Sequence, residues 1–262
     1  MFVQSKDGTP IEAIVAGSGP PLVLVHGTSA DATRWPAVMA PFAEHFTVHA
    51  MHRRGRGGSV DGDAPYAIER EGEDVAALVE AIGAPVFVLG HSYGGMCSLE
   101  ALLVTGGVRK VIFYEPPVPT GTPVYPAGIA ERIEARLAEG DRDGAVAVFF
   151  GEVFLLKERE LQLMRALVSW QGRMAAAHTL PREIRATDRW SWNAERFAGI
   201  DVPAQLFVGG ASVPIAHEMT ARLASGLRRS EIVLLRGQQH IAMDSAPELF
   251  VREVLAFFEP SR

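Results

Sequence analysis

The sequence predicts an α/β fold, a mostly parallel sheet flanked by helices with a helical segment inserted late in the chain. Two observations lead there. Short apolar, β-branched runs alternate with longer stretches of helical periodicity, which is the signature of strands joined by helical crossovers. That alternation is broken once, over residues 118–200, where several helical patterns follow one another without a convincing strand. The 262 residues, 48% hydrophobic and 21% charged, suit one globular domain with a substantial core and such an insertion.

The elements follow in order. The opening FVQSKDGTPIEAIVA (2–16) alternates around Asp7-Gly8, which predicts an antiparallel hairpin at the sheet edge. Buried strands are expected at PLVLV (21–25), FTVHAM (46–51), VFVLG (86–90), VRKVIFY (108–114), AQLFVG (204–209) and EIVLLR (231–236). Helices are expected at about 34–45, 66–82, 93–105, 214–226 and 246–258, and right-handed crossovers then make the central strands parallel. The proline-rich EPPVPTGTPVYP (115–126) opens the insertion, which carries three of the four tryptophans. This divides the chain into a core of residues 1–117 and 201–262 and a helical lid of residues 118–200. A lid facing both the core and an apolar ligand has this composition, so Trp170, Met174, Trp190 and Trp192 are candidate pocket residues. The alternative for the tryptophans is that they anchor the insertion to the sheet.

Composition excludes several classes. One cysteine, Cys97, leaves no disulfide framework, and no Cys/His spacing suggests a metal. No G-x-G-x-x-G follows the first central strand, so no dinucleotide cofactor is expected. A net charge of −6 argues against nucleic-acid binding, and the arginines of HRRGRGG (52–58) are read as structural. The N-terminus lacks a signal-peptide core, and no run of about 18 apolar residues occurs. A soluble cytoplasmic protein with no membrane partner is expected, with a homodimer left open.

The chemistry gathers around VLGHSYGGMC (88–97). Gly90-His91-Ser92-Tyr93-Gly94 matches G-x-S-x-G, preceded by a strand and followed by a helix, the setting that lifts a serine hydroxyl to a sheet's carboxyl edge at a helix N-terminus. A serine needs a base, and His240, in the polar loop GQQH after the last strand, is the best-placed histidine. His26 and His91 flank motif residues, His49 lies inside a strand, and His45, His178 and His217 fall in helical patterns. An oxyanion needs donors, and His26-Gly27-Thr28 after the first central strand offers the Thr28 N–H to pair with that of Tyr93, with Gly27 lining the substrate side.

HGTSAD, HRRGRGGS, GHSYGG and GQQH, in that order, make the chain resemble the α/β-hydrolase superfamily over nearly its whole length. The resemblance implies an eight-stranded, mostly parallel sheet with a helical cap after the sixth strand. It also implies a triad with Ser92 as nucleophile and His240 as base, and Thr28 and Tyr93 as oxyanion donors. Two departures stand out. His52 takes the place of the aspartate usual before RRGRG, and GGASVP offers Ala211 and Ser212 where the acid usually follows the seventh strand. Glu115, ending the sixth strand, is therefore the expected acid, with Asp244 a capping or loop-fixing residue. The acid's location, EPP and GGASVP are similar to lactonases of the zearalenone-hydrolysing type. The expected substrate is a small apolar ester or lactone, cleaved through an acyl-enzyme on Ser92. The alternatives are a perhydrolase or lyase reaction on the same scaffold, or a non-catalytic small-molecule receptor.

Overall fold

In the computed structural model, which describes residues 1–63 and 65–258, eight strands form one sheet. They are β1 (Phe2–Gln4), β2 (Pro10–Ala16), β3 (Pro21–Val25), β4 (Thr47–Met51), β5 (Val86–His91), β6 (Val108–Tyr114), β7 (Ala204–Gly209) and β8 (Ser230–Leu235). Their spatial order is β1-β2-β4-β3-β5-β6-β7-β8. The opening hairpin pairs antiparallel with itself and with β4, and every later pairing is parallel. Residues 259–262, the end of the expected second core segment, lie outside the described residues.

The helices are α1 (Pro36–Ala43), α2 (Ile68–Ile82), α3 (Tyr93–Ala101), α4 (Ile129–Ala138), α5 (Arg142–Val153), α6 (Glu158–Arg165), α7 (Ser169–Ala175), α8 (Leu180–Arg189), α9 (Ala194–Phe197), α10 (Pro214–Gly226), α11 (Ala242–Ser245) and α12 (Pro247–Phe258). Two expected helices are shorter than their patterns. The first is a 3-10 turn over Ala32–Arg34 before α1, and α3 ends at Ala101 although its periodicity continues to 105.

Strand alternation divides the core into two layers. Val23, Val25, Val88, Val111 and Phe113 face one side, packed with residues of α2 and α3, while Leu22, Leu24, Phe87, Leu89, Ile112 and Tyr114 face the other with residues of α1 and α12. On the first side α2 and α3 approach so closely that a Cβ on Gly72 would lie 2.5 Å from the Glu100 Cβ. The six helices α4–α9 lie between β6 and β7 and have their own apolar cluster around Ile133, Val146, Phe149, Trp170 and Leu180. The far end of this segment returns to the sheet: Trp190, Phe197 and Ile200 join the α2/α3 layer, with Trp192 packed against it.

The arginines of the 52–58 stretch are buried, not displayed. Arg53 forks onto Glu71 of α2 (Nε–Oε2 2.8 Å, Nη2–Oε1 2.6 Å) and also reaches Glu183 of α8 at 3.0 Å. Arg54 forks onto Asp74 (2.7 and 2.6 Å), and Arg56 pairs with Glu183 and Thr179. These carboxylates come from α2 and α8. Burial alone would raise the Glu71 carboxyl, but Arg53 outweighs it and holds the group down at about 2.

Removing one partner from a buried ion pair leaves an uncompensated charge, which costs far more than losing an exposed pair. Glu183→Ala, which strips Arg56 of its only carboxylate among the described residues, should lower unfolding free energy by about 3 kcal/mol. Glu134→Ala, cutting an exposed bridge to Arg185, should barely move the urea midpoint. Similar midpoints for the two variants would contradict this reading of the network.

Candidate active site

The sheet's strand order reverses at β3, whose neighbours β4 and β5 leave on opposite sides, and the carboxyl ends of β3 and β5 meet there. Ser92 follows β5 with φ 53° and ψ −127°, a conformation that L residues rarely hold without support. Its support is close packing. A Cβ on Gly90 would fall 2.6 Å from Ser98 Oγ, and one on Gly94 would fall 2.2 Å from the Val25 carbonyl oxygen, so only glycine fits at either position. This contact sets the start of α3 against the end of β3. A Cβ on Gly27 would lie 2.9 Å from the Ser92 Cβ and 3.4 Å from its Oγ, which puts the Gly27-Thr28 peptide against the serine hydroxyl. The Tyr93 N–H, at the first position of α3, has no partner within the helix. The Gly27-Thr28 turn and the first residue of α3 thus both adjoin Ser92.

His26 holds this loop. The Arg53 N–H donates to His26 Nε2 at 3.2 Å, so the ring proton sits on Nδ1, which donates to the Gly27 carbonyl at 2.8 Å. Complete burial, then Arg56 and Arg53, push the His26 pKa far down and keep the ring neutral.

His240 arrives from the loop after β8. Its position is set by three contacts: His91 Nε2 donates to the His240 carbonyl at 2.9 Å, Tyr114 Oη donates to the Gln239 carbonyl, and the Ala242 N–H donates to Tyr114 Oη at 3.0 Å. The His91 and His240 rings lie 4.6 Å apart. Burial, followed by the neighbouring His240, pushes the His91 pKa well down, so the ring that contacts His240 is itself uncharged.

His240 Nδ1 donates to Glu115 Oε2 at 2.6 Å. Glu115 follows β6 at φ 45°, and its other oxygen accepts from the Gly209 N–H at 2.8 Å and Ser212 Oγ at 2.5 Å. The loop after β7, where no acid stands, thus binds the acid offered by β6. Burial would raise the Glu115 carboxyl, but the bonds from His240, Ser212 and Gly209 together hold it below the ordinary carboxylate range. Asp244 lies apart from this pair, with both oxygens on Arg34 (2.8 and 2.7 Å). With Nδ1 engaged, Nε2 is the nitrogen of His240 left to exchange protons.

The structure thus gathers Ser92, Tyr93, Gly27 and Thr28 on one side and His240 with Glu115 on the other. The cap candidates fare differently. Trp170 is buried inside the cap, its Nε1 donating to Asp143 at 2.8 Å, and Met174 packs at the edge of the same cluster. Trp190 donates to Glu100 at 2.8 Å, and Trp192 stacks on Phe197 and presses on Gly226, at the end of α10 remote from the strands' carboxyl edge. The expectation that Trp190 and Trp192 line the pocket is corrected: they anchor the returning segment to the core. Side chains that sequence reasoning missed stand nearer. Phe154 has its ring 5.9 Å from that of His240, and Arg173 of α7 donates to the Ser29 carbonyl at 2.6 Å. Neither carries a local motif; only the return of the cap over the sheet brings them in. Among the described residues no His, Cys, Asp and Glu cluster is arranged to hold a metal, and no helix is long and apolar enough to cross a membrane.

The sequence profile of the alpha/beta hydrolase family matches residues 22–253. Among solved structures, an alpha/beta hydrolase from Sphaerobacter thermophilus DSM 20745 is 35% identical, with a TM-score of 0.85 over 98% of this chain and 100% of its own. An esterase from Rhodococcus sp. ECU1013 shares the fold at 24% identity, TM-score 0.79, over 99% of this chain and 98% of its own. An enol-lactonase from Burkholderia xenovorans LB400 does so at 20% identity, TM-score 0.76, over 98% and 99%.

A carboxyl held low in the folded state stabilises the fold above its unfolded pKa, and that contribution is lost as pH falls through the folded value. Part of the stability at neutral pH should therefore disappear below about pH 4.5, the ordinary value for glutamate. Ser212→Ala removes one of the bonds that lower Glu115, so its folded pKa moves back toward the unfolded value and the variant should lose less stability between pH 7 and pH 3 than the wild type. Urea unfolding from pH 7 to pH 3 measures both, and superimposable profiles would refute the role given to Ser212.

Proposed function

The chain belongs to the alpha/beta hydrolase family, and on that premise we propose that it is a serine hydrolase cleaving a carboxylic ester or lactone through an acyl-enzyme on Ser92. The observation that carries this is the Glu115–His240 pair, 2.6 Å between Oε2 and Nδ1, in the same site as a serine held at positive φ. A carboxylate on Nδ1 fixes the imidazole tautomer and stabilises the imidazolium that forms when Nε2 takes a proton.

In this reading Ser92 Oγ attacks the acyl carbon and its proton passes to His240 Nε2. The Thr28 and Tyr93 N–H groups receive the oxyanion, which develops where no acceptor among the described residues competes for them. Collapse expels the alcohol, protonated by His240. Water then attacks the acyl-enzyme, His240 takes its proton, and Ser92 is released with a free acid. With a lactone the alcohol remains tethered and the product is a hydroxy acid. Tyr93 serves through its backbone alone, since its hydroxyl is buried against Tyr66 at 2.8 Å and its ring lies under Arg53.

Ser92→Ala should lose both labelling by a fluorophosphonate and turnover of p-nitrophenyl esters; surviving turnover would refute the mechanism. Glu115→Gln should fold normally and lose turnover by something on the order of a thousandfold or more, as expected when the group on Nδ1 no longer carries the negative charge that stabilises the imidazolium. Steady-state kinetics with circular dichroism as a folding control decides this second point, and near-normal turnover would remove Glu115 from the machinery.

A further inference from the structure

Arg173 is the one feature of the site that the hydrolytic steps leave unused. Its carbonyl bond to Ser29 ties it to the residue after the oxyanion donor Thr28, and its guanidinium lies 4.9 Å over the ring of Phe150. Phe150 stacks on Phe154 at 5.6 Å, and Phe154 faces His240 at 5.9 Å. The contacts therefore run from the base, across two aromatic rings, to Arg173, and back through Ser29 to the oxyanion loop. This places a guanidinium on the cap side of the reacting centre.

Among the described residues no carboxylate pairs with it. Arg34 has both terminal nitrogens on Asp244, so Asp244 is already neutralised, and Asp31, which gives one oxygen to the N–H and hydroxyl of Thr33, acts on Arg173 only from beyond ion-pair distance. Arg173 thus uses one donor on a neutral carbonyl and keeps its remaining N–H groups. Burial, and then Arg34, bring its pKa down to about 10, which leaves it charged at neutral pH while measuring the cost of its surroundings. A half-buried cation that no carboxylate among the described residues contacts as an ion pair is stabilised when an anion arrives, and a guanidinium fork suits a carboxylate.

Resting on the hydrolase reading above, we infer that Arg173 binds a carboxylate of the substrate, making the preferred substrate a half-acid: an ester or lactone carrying a free carboxylate a few bonds from the scissile acyl group. This narrows the substrate from an apolar ester to an anionic one, with Phe150 and Phe154 covering the carbon chain between the two ends. The rim charge also orients the substrate, because the carboxylate can sit only on the cap side, and this directs the acyl carbon toward Ser92.

The test separates binding from turnover. Monoethyl glutarate and diethyl glutarate, which differ in one carboxylate, are titrated calorimetrically into Ser92→Ala protein with Arg173 intact, with Arg173→Met and with Arg173→Lys. The half-acid should bind about tenfold or more tighter than the diester when Arg173 is present, the scale of a charge-assisted bond. Arg173→Met should abolish that advantage, and Arg173→Lys should restore part of it, which also controls for folding. If the half-acid binds no tighter than the diester, or keeps its advantage in Arg173→Met, the inference is overturned. Turnover of either ester by protein with Ser92 intact, and its loss in Ser92→Ala, reports separately on the hydrolase reading, so each can fail without the other.

Discussion

Arg53 is the side chain on which the site's geometry depends. It is fully buried and touches the helical layer, the cap and the oxyanion loop at once: Glu71 of α2, Glu183 of α8, and the Gly27 carbonyl at 3.2 Å. Its ring contact with Tyr93 extends the same network to the residue after Ser92, and Tyr66 joins Tyr93 to Glu71 through hydroxyls. A guanidinium taken out of water needs every donor satisfied, so it tolerates only a narrow range of positions for the elements around it. Its burial demands that α2, α8 and the loop after β3 sit where they do.

The strain at Ser92 becomes intelligible within that frame. A positive φ on a non-glycine residue costs on the order of 1–3 kcal/mol and persists only when its surroundings over-determine it. Here the constraint is steric on both flanks, from Gly90 against Ser98 and from Gly94 against β3, and it is polar beneath, where the Ser92 N–H donates to the Tyr114 carbonyl at 2.8 Å. Ser29 and Glu115 also hold positive φ, so the chain kinks at three points around Ser92 and His240. All three kinks lie just past the carboxyl end of a parallel strand, where a chain must leave the sheet sharply if its side chain is to face the cleft.

The carboxylate at the end of β6 and the donors of the loop after β7 complement each other. The loop after β7 retains its place against the site but offers Gly209 N–H and Ser212 Oγ as donors in place of a carboxylate. A carboxylate accepts both and still has an oxygen for His240, and so a donor loop and a displaced acid form a compatible pair. The negative charge beside His240 thus comes from β6, and the loop after β7 holds it by hydrogen bonds.

The sequence by itself determined the layered α/β architecture, because period-two alternation in β3, β5 and β6 and period-3.6 patterns between them report which faces are buried, and those are local properties. It also determined the serine elbow, since Gly90 and Gly94 around Ser92 answer to short-range sterics, and it pointed to Glu115 through the lack of an acid in residues 209–214. Tertiary structure decided the rest. Arg53, Arg54 and Arg56 read as a basic cluster, yet their partners Glu71, Asp74 and Glu183 lie up to 130 residues away, and no local pattern encodes that pairing. The tryptophans show the same limit: a large apolar ring near a lid is equally suited to anchoring or lining, and only the return of residues 190–197 onto the α2/α3 layer made Trp190 and Trp192 anchors. Phe154 and Arg173 reached the site for the converse reason, since the packing of α4–α9 on the rest of the fold, rather than any feature of their own segments, decides which of their side chains meet His240 and the loop after β3.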